Sequence, residues 1–203
     1  MGWDRWDQVD SDKVLLAHRE DNWKPSDPRK IHDWFLGAVE FYGELLRREC
    51  RYLKAWRDYH ELDHVSSIIL MACAFETFEE VGHLKVPRRD DLALLEIASR
   101  LAGMFAGEIR NPADPDEVLG SSWTYAKRRQ AIKAANEMHE QLDDAIHHCY
   151  VPEVAVDHLK TIFGERIPNR PDLVKAHSAA VAAIAAAPPI IVPAPDVGRS
   201  TSG

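Results

Sequence analysis

Only three of the 203 residues are cysteine, and Cys50, Cys73 and Cys149 stand far apart with no C-x-x-C pair. So odd and sparse a set, in apolar surroundings, argues against a disulfide framework and reads as reduced thiols in a cytoplasmic protein. Basic residues are in the minority, 25 against 33 acidic ones, for a net charge of −8. Broad nucleic-acid binding needs a basic footprint and is disfavoured, which still leaves room for a local basic site. The opening residues, MGWDRWDQVDSDK, are acidic without an apolar core, so no signal peptide is expected. No apolar run is long and clean enough to span a membrane. Internal repeats and a convincing strand pattern are also lacking. What is plentiful is apolar surface: 45% hydrophobic against 29% charged residues is enough for a substantial core, in one domain or two small ones.

The pattern that remains is helical. Asp27-Pro28 predicts a helix start, with Asp27 as N-cap and Pro28 at the first helical position. Trp34, Phe35, Ala38 and Tyr42 continue it, and Gly43 predicts a break. A second helix is expected to about Tyr59 and a third, apolar nearly all round, over Val65–Phe78. Pro87-Arg88-Arg89 reads as a turn, after which Asp90 or Asp91 caps a helix to about Gly107. Asn111 to Asp116 reads as a loop ending in another cap-plus-proline start. A long helix is expected from Trp123 to Cys149, a shorter one from Pro152 to Phe163, and an alanine-rich one over 172–187. Pro188-Pro189 ends that last helix, and the rest to Gly203 reads as a tail.

The most informative stretch is Arg47 to Leu70, RRECRYLKAWRDYHELDHVSSIIL. Arg47, Arg51 and Lys54 recur at helical spacing on one stripe, beside an apolar face of Leu46, Cys50, Leu53 and Trp56. A turn follows, and then Ser66-Ser67 opens the apolar helix. Cations beside a hydroxyl-bearing helix start suit a phosphate; an ordinary amphipathic helix with a solvated charged side is the competing reading.

Other motifs compete. His60-Glu61-Leu62-Asp63-His64 is a literal H-E-x-x-H, which on a helix would present two imidazoles to Zn²⁺ with Glu61 as general base and Glu79 or Glu80 completing the site. With ten histidines in the chain and a helix restarting at Ser66, the segment reads better as an inter-helix turn. His147-His148-Cys149 suits a helix end, and Arg88-Arg89 and Lys127-Arg128-Arg129 suit solvated faces.

Several segments, in order and spacing, resemble the bacterial cGAS/DncV-like nucleotidyltransferases. They are Ser26-Asp27-Pro28-Arg29 with Asp33-Trp34-Phe35, LLRRECRYLKAWRD over 45–58, Ser66-Ser67-Ile68, Asn111-Pro112-Ala113-Asp114, and Phe163-Gly164-Glu165-Arg166. The resemblance covers roughly residues 20–168 and only the C-terminal helical half of those enzymes. It implies a mainly α fold, a helical bundle corresponding to the C-terminal lobe of the cGAS/OAS-like nucleotidyltransferase fold. It divides the chain into an N-terminal segment 1–25, a nucleotide-binding lobe 26–168 and an Ala/Pro-rich end 169–203. It further implies a cyclic di- or trinucleotide synthase using ATP or GTP in anti-phage defence of the CBASS type. By the same comparison Lys54 and Ser67, with Ser66 as alternative, would touch a triphosphate. Ser26 would lie near the donor nucleotide and Asp114 near the acceptor; helix capping alone is the competing role for these two.

The departure is as informative. The family's Gly-Ser turn followed by Asp-x-Asp, which with a later carboxylate holds two Mg²⁺ ions, has no counterpart here. Asp10-Ser11-Asp12 has the letters without the strand, and reads as a turn. The chain is therefore expected to hold no metal itself and to be inactive alone, working with a missing catalytic half or split-gene partner. A tail ending in Gly203 would also permit conjugation by a ubiquitin-transferase-like accessory protein. The remaining alternatives are a zinc metallopeptidase-like protein and a non-catalytic helical interaction module.

Overall fold

The computed structural model describes residues 15–18, 22–25 and 28–174. In chain order these form an antiparallel hairpin of β1 (Leu15–His18) and β2 (Asn22–Pro25), then α1 (Pro28–Tyr42), α2 (Glu44–Tyr59), α3 (Ser67–Val81) and α4 (Asp90–Ala106). A second hairpin, β3 (Ile109–Asn111) and β4 (Asp114–Leu119), leads to α5 (Tyr125–Asp143), a π-helical turn (Asp144–His148) and α6 (Pro152–Phe163). Two 3-10 turns, Gly164–Arg166 and Pro171–Leu173, finish the described chain.

The fold is the expected helical bundle. Proline at the first position starts α1 and α6, where a missing N–H costs nothing. Gly43, at φ 81°, separates α1 from α2. The core takes Leu46, Cys50, Leu53 and Trp56 from α2, Leu70, Cys73 and Phe78 from α3, and Ile97, Leu101 and Phe105 from α4. Ala131, Ala135, Met138 and Leu142 of α5 are buried with them. Trp34 of α1 meets Phe75 of α3 edge-on at 5.3 Å, and Tyr42 meets Phe78 at 5.4 Å. Among the described residues no helix is long and apolar enough to cross a membrane.

Several expectations are corrected. Residues 111–116 are not a loop opening a helix but the heart of the β3–β4 hairpin. Asn111 Oδ1 accepts the Ala113 N–H at 2.9 Å and its amide donates to Glu117, bending the chain back; Ile109 and Leu119 pair as the buried rung. Pro115 is tolerated because a two-stranded ribbon leaves edge positions that need no N–H. The long helix begins at Tyr125, two residues late, because the Thr124 hydroxyl accepts the Lys127 N–H at 3.3 Å as N-cap. The α-helical hydrogen bonding ends at Asp143, short of Cys149. Helix α3 starts at Ser67 rather than Val65 and runs on to Val81, exposing Glu76, Glu79 and Glu80. Neither Asp90 nor Asp91 is the N-cap of α4; Arg89 holds that position, while Asp90 accepts both Arg48 Nε (2.7 Å) and Nη2 (2.8 Å). Arg128 is no solvated side chain either: it donates to Phe105 O (2.6 Å) and Gly107 O (2.9 Å), closing the end of α4. The alanine-rich helix over 172–187, beyond its first residues, and the tail to Gly203 lie outside the described residues, as does Asp10-Ser11-Asp12.

Candidate functional site

The site is built where α2 ends and α3 begins. Lys54 sits at the border between the buried and exposed faces of α2, half-buried, and makes no hydrogen bond or ion pair among the described residues. Its charge is felt at Cys50, one turn back, whose thiol burial pushes up to about 12 while Lys54 pulls the other way. That thiol stays neutral and is no nucleophile. Of the other cations on the stripe, Arg47 pairs with Glu44 at 3.5 Å, whereas Arg51 is exposed and has no partner among the described residues.

Arg57, one turn after Lys54, joins the two helices. Its Nη1 donates to Ser67 Oγ at 3.1 Å and to Val65 O at 3.4 Å. Its Nε and Nη2 grip Asp58 at 2.9 and 2.6 Å. From far along the chain, Arg166 donates to Ala55 O at 2.7 Å and approaches Asp58 at 3.8 Å. Just before it, Gly164, at φ +64°, packs close against the Tyr59 ring.

Ser66 is the N-cap residue of α3 by position, but its side chain caps nothing. The first N–H groups of α3 therefore keep no side-chain acceptor, and with them the positive end of the helix dipole. Ser67 Oγ accepts from Arg57, so the hydroxyl proton remains to be donated elsewhere. Arg57 thus ties the end of α2 to Ser67 at the start of α3, with Lys54 three residues before it on α2. Asp58 of α2 is held by Arg57, while Glu61 and Asp63 in the following turn are exposed.

The other predicted residues fall elsewhere. Asp114 is exposed at the start of β4, on the hairpin packed along α3. The neighbouring cleft, about 450 Å³, is lined by Phe75, Glu76, Asn111, Pro112 and Pro115. The rise along α3 separates Phe75 from Ser67 by about 12 Å, so Asp114 belongs to a different part of the surface. Ser26 lies outside the described residues.

His60-Glu61-Leu62-Asp63-His64 is a turn, with Glu61 at φ 53°, and its two imidazoles share no helix face. His64 Nε2 donates to Lys127 O at 3.0 Å, and the His64 carbonyl accepts Trp123 Nε1–H at 2.8 Å. The segment clamps the α2–α3 turn to the start of α5. Among the described residues no three His, Cys, Asp or Glu side chains come together as a metal-binding group.

Comparison with known proteins places this geometry. A family model described as "Cyclic GMP-AMP synthase, C-terminal domain" matches residues 43–176. The chain belongs to this family. It is 30% identical over 167 residues to the cyclic GMP-AMP synthase of Vibrio cholerae serotype O1, covering 80% of this chain and 38% of that protein. It is 31% identical over 169 residues to the cyclic GMP-AMP synthase of Escherichia coli strain TW11681, covering 79% and 38%. Among solved structures it resembles Vibrio cholerae DncV in complex with the linear intermediate 5′-pppA(3′,5′)pG, with a TM-score of 0.67 at 26% identity over 83% of this chain and 45% of that one. Escherichia coli DncV bound to 3′-deoxy GTP matches with a TM-score of 0.67 at 27% identity, covering 80% and 45%. The bundle described above is thus the C-terminal lobe of the DncV-type fold. The chain spans about two-fifths of the length of the curated relatives it matches.

Sequence reasoning missed Arg57 and Arg166. Arg57 falls about 60° off the Arg47–Lys54 stripe, toward the buried face, and so escapes a search for a cationic line. Its signal was the serine ten residues on, across a turn too short to separate them.

Proposed function

We propose that this chain is the nucleotide-holding lobe of a cyclic dinucleotide synthase, and that the α2–α3 corner grips the triphosphate of ATP or GTP. The observation that carries the reading is a half-buried Lys54, without a partner among the described residues, one turn before the Arg57–Ser67 bridge at the start of α3, where Ser66 makes no side-chain cap. Lys54 supplies a point charge, Ser67 a hydroxyl donor, and α3 its first N–H groups; the three together recognise phosphate oxygens without metal. The kinship with DncV proteins solved with GTP and with ATP supports the ligand class. Asp114, on the hairpin away from this corner, is in reach of the acceptor side, and Ser26 of the donor side, by resemblance alone.

The Mg²⁺-dependent joining step belongs, in this reading, to carboxylates that these 203 residues do not contain in the family's pattern. This chain by itself is therefore expected to bind nucleotide without cyclising it. Its place in anti-phage signalling of the CBASS type, alongside a catalytic half or an accessory conjugating protein, is part of the same proposal and rests on the resemblance. The zinc-peptidase alternative finds no support in a turn whose histidine is spent on a backbone carbonyl.

Calorimetric titration of GTP and ATP into the full chain and into Lys54→Ala tests the reading. A charge-assisted contact contributes about 1.5–3 kcal/mol, so the variant should bind roughly ten- to a hundredfold more weakly. Equal affinity in both proteins would remove Lys54 from the site.

A further inference from the structure

We infer that Arg57 is a positioning residue of the phosphate site, acting on the ligand only through the Ser67 hydroxyl; the inference rests on the reading above. Arg57 has five N–H donors. One goes from Nε and one from Nη2 to Asp58, and Nη1 serves both Ser67 Oγ and Val65 O. Four of the five are thus spent within the protein, and its charge is neutralised by the Asp58 carboxylate. Little is left for a ligand.

What the arrangement controls is the serine. A hydroxyl has one proton and two lone pairs, and its proton swings to the best acceptor nearby. Arg57 holds the Ser67 oxygen as an acceptor and simultaneously occupies the neighbouring Val65 carbonyl, the acceptor that would compete for the hydroxyl proton. Both contacts turn the O–H outward. The guanidinium is itself held: Asp58 fixes its plane, and Arg166, anchored on Ala55 O, lies against the same carboxylate. A chain of contacts thus runs from the Gly164–Arg166 turn through Asp58 and Arg57 to the serine. Lysine at position 57 could not reproduce it, since it lacks the planar fork that engages Asp58 and Ser67 together.

The test is a double-mutant cycle on the full chain, with GTP and GMP as probes and Lys54→Ala alongside. Arg57→Ala and Ser67→Ala should each weaken GTP binding several-fold to about tenfold while changing GMP binding little. Arg57→Ala placed in the Ser67→Ala background should cost nothing further. Arg57→Gln, which can still donate one hydrogen bond to Ser67, should recover part of the loss and guards against a merely unfolded alanine variant. Additive losses, or equal losses for GTP and GMP, would overturn the inference while leaving the phosphate reading standing if Lys54→Ala still weakens GTP. If Lys54→Ala binds GTP like the wild type, the phosphate reading falls and this inference with it.

Discussion

Gly164→Ala is expected to destabilise the folded chain by roughly 3–5 kcal/mol, the largest effect anticipated for a single methyl group here. Gly164 has φ 64° and ψ −148°, a backbone region open essentially only to glycine. A Cβ there would sit 2.4 Å from Tyr59 Cε2 and 2.5 Å from Cδ2, far inside contact distance. The backbone strain accounts for about 1–3 kcal/mol and the overpacking for a similar amount. At this chain length the melting temperature should fall by about 10 °C. The effect should also reach the site, because Arg166 hangs from the same turn and braces Asp58. Removing the ring as well, in Tyr59→Ala/Gly164→Ala, relieves the clash but not the torsion and should recover part of the loss. A thermal melt of Gly164→Ala within 2 °C of the wild type would contradict the packing described.

The second large effect is a pH dependence centred on Glu49. This residue of α2 is fully buried, and neither carboxyl oxygen has a hydrogen-bond partner among the described residues. Burial, reinforced by Asp90 and Asp91 and opposed by Arg48, raises its pKa from 4.5 to about 9, so it is folded in as the neutral acid. Above pH 4.5 the unfolded chain releases this proton while the folded one keeps it. The folded state then binds more protons, and stability falls as pH rises across the window from 4.5 to about 9. The slope from this one group approaches about 1.4 kcal/mol per pH unit. Glu49→Gln cannot ionise and should flatten it, gaining on the wild type progressively as pH rises above 4.5 in denaturant titrations. Parallel stability profiles for the two proteins between pH 5 and 8 would contradict it. Asp90, which Arg48 holds below the usual carboxylate range, works in the opposite sense and only at acid pH, so the two are separable.

How far the chain could be read in advance follows from the size of its signals. Pro28, Gly43 and Pro152 punctuate helices long enough for their apolar periodicity to show, and those boundaries appear where the residues put them. The β3–β4 hairpin was hidden because Ile109–Asn111 has three residues, too few for an alternating pattern, and because Asp114-Pro115 imitates a helix start. Lys54 and Ser67, proposed above to hold phosphate, stand out in the sequence as a cation and a helix-opening hydroxyl. The bridge from α2 to α3 was not legible: Arg57 looks like any amphipathic-helix arginine until α3 folds back and brings Ser67 to its guanidinium. His64 shows the converse, a residue whose spacing suggests zinc and whose actual work is to donate to Lys127 O.

If the α2–α3 corner grips a nucleotide as proposed, it does so by phosphate rather than by base or sugar. Comparing GTP with GMP and guanosine in one titration series, at low and at raised salt, measures this directly. Binding at least tenfold tighter for GTP than for GMP, with the advantage shrinking as salt rises, is the predicted result. Equal affinity for all three, insensitive to salt, would contradict it.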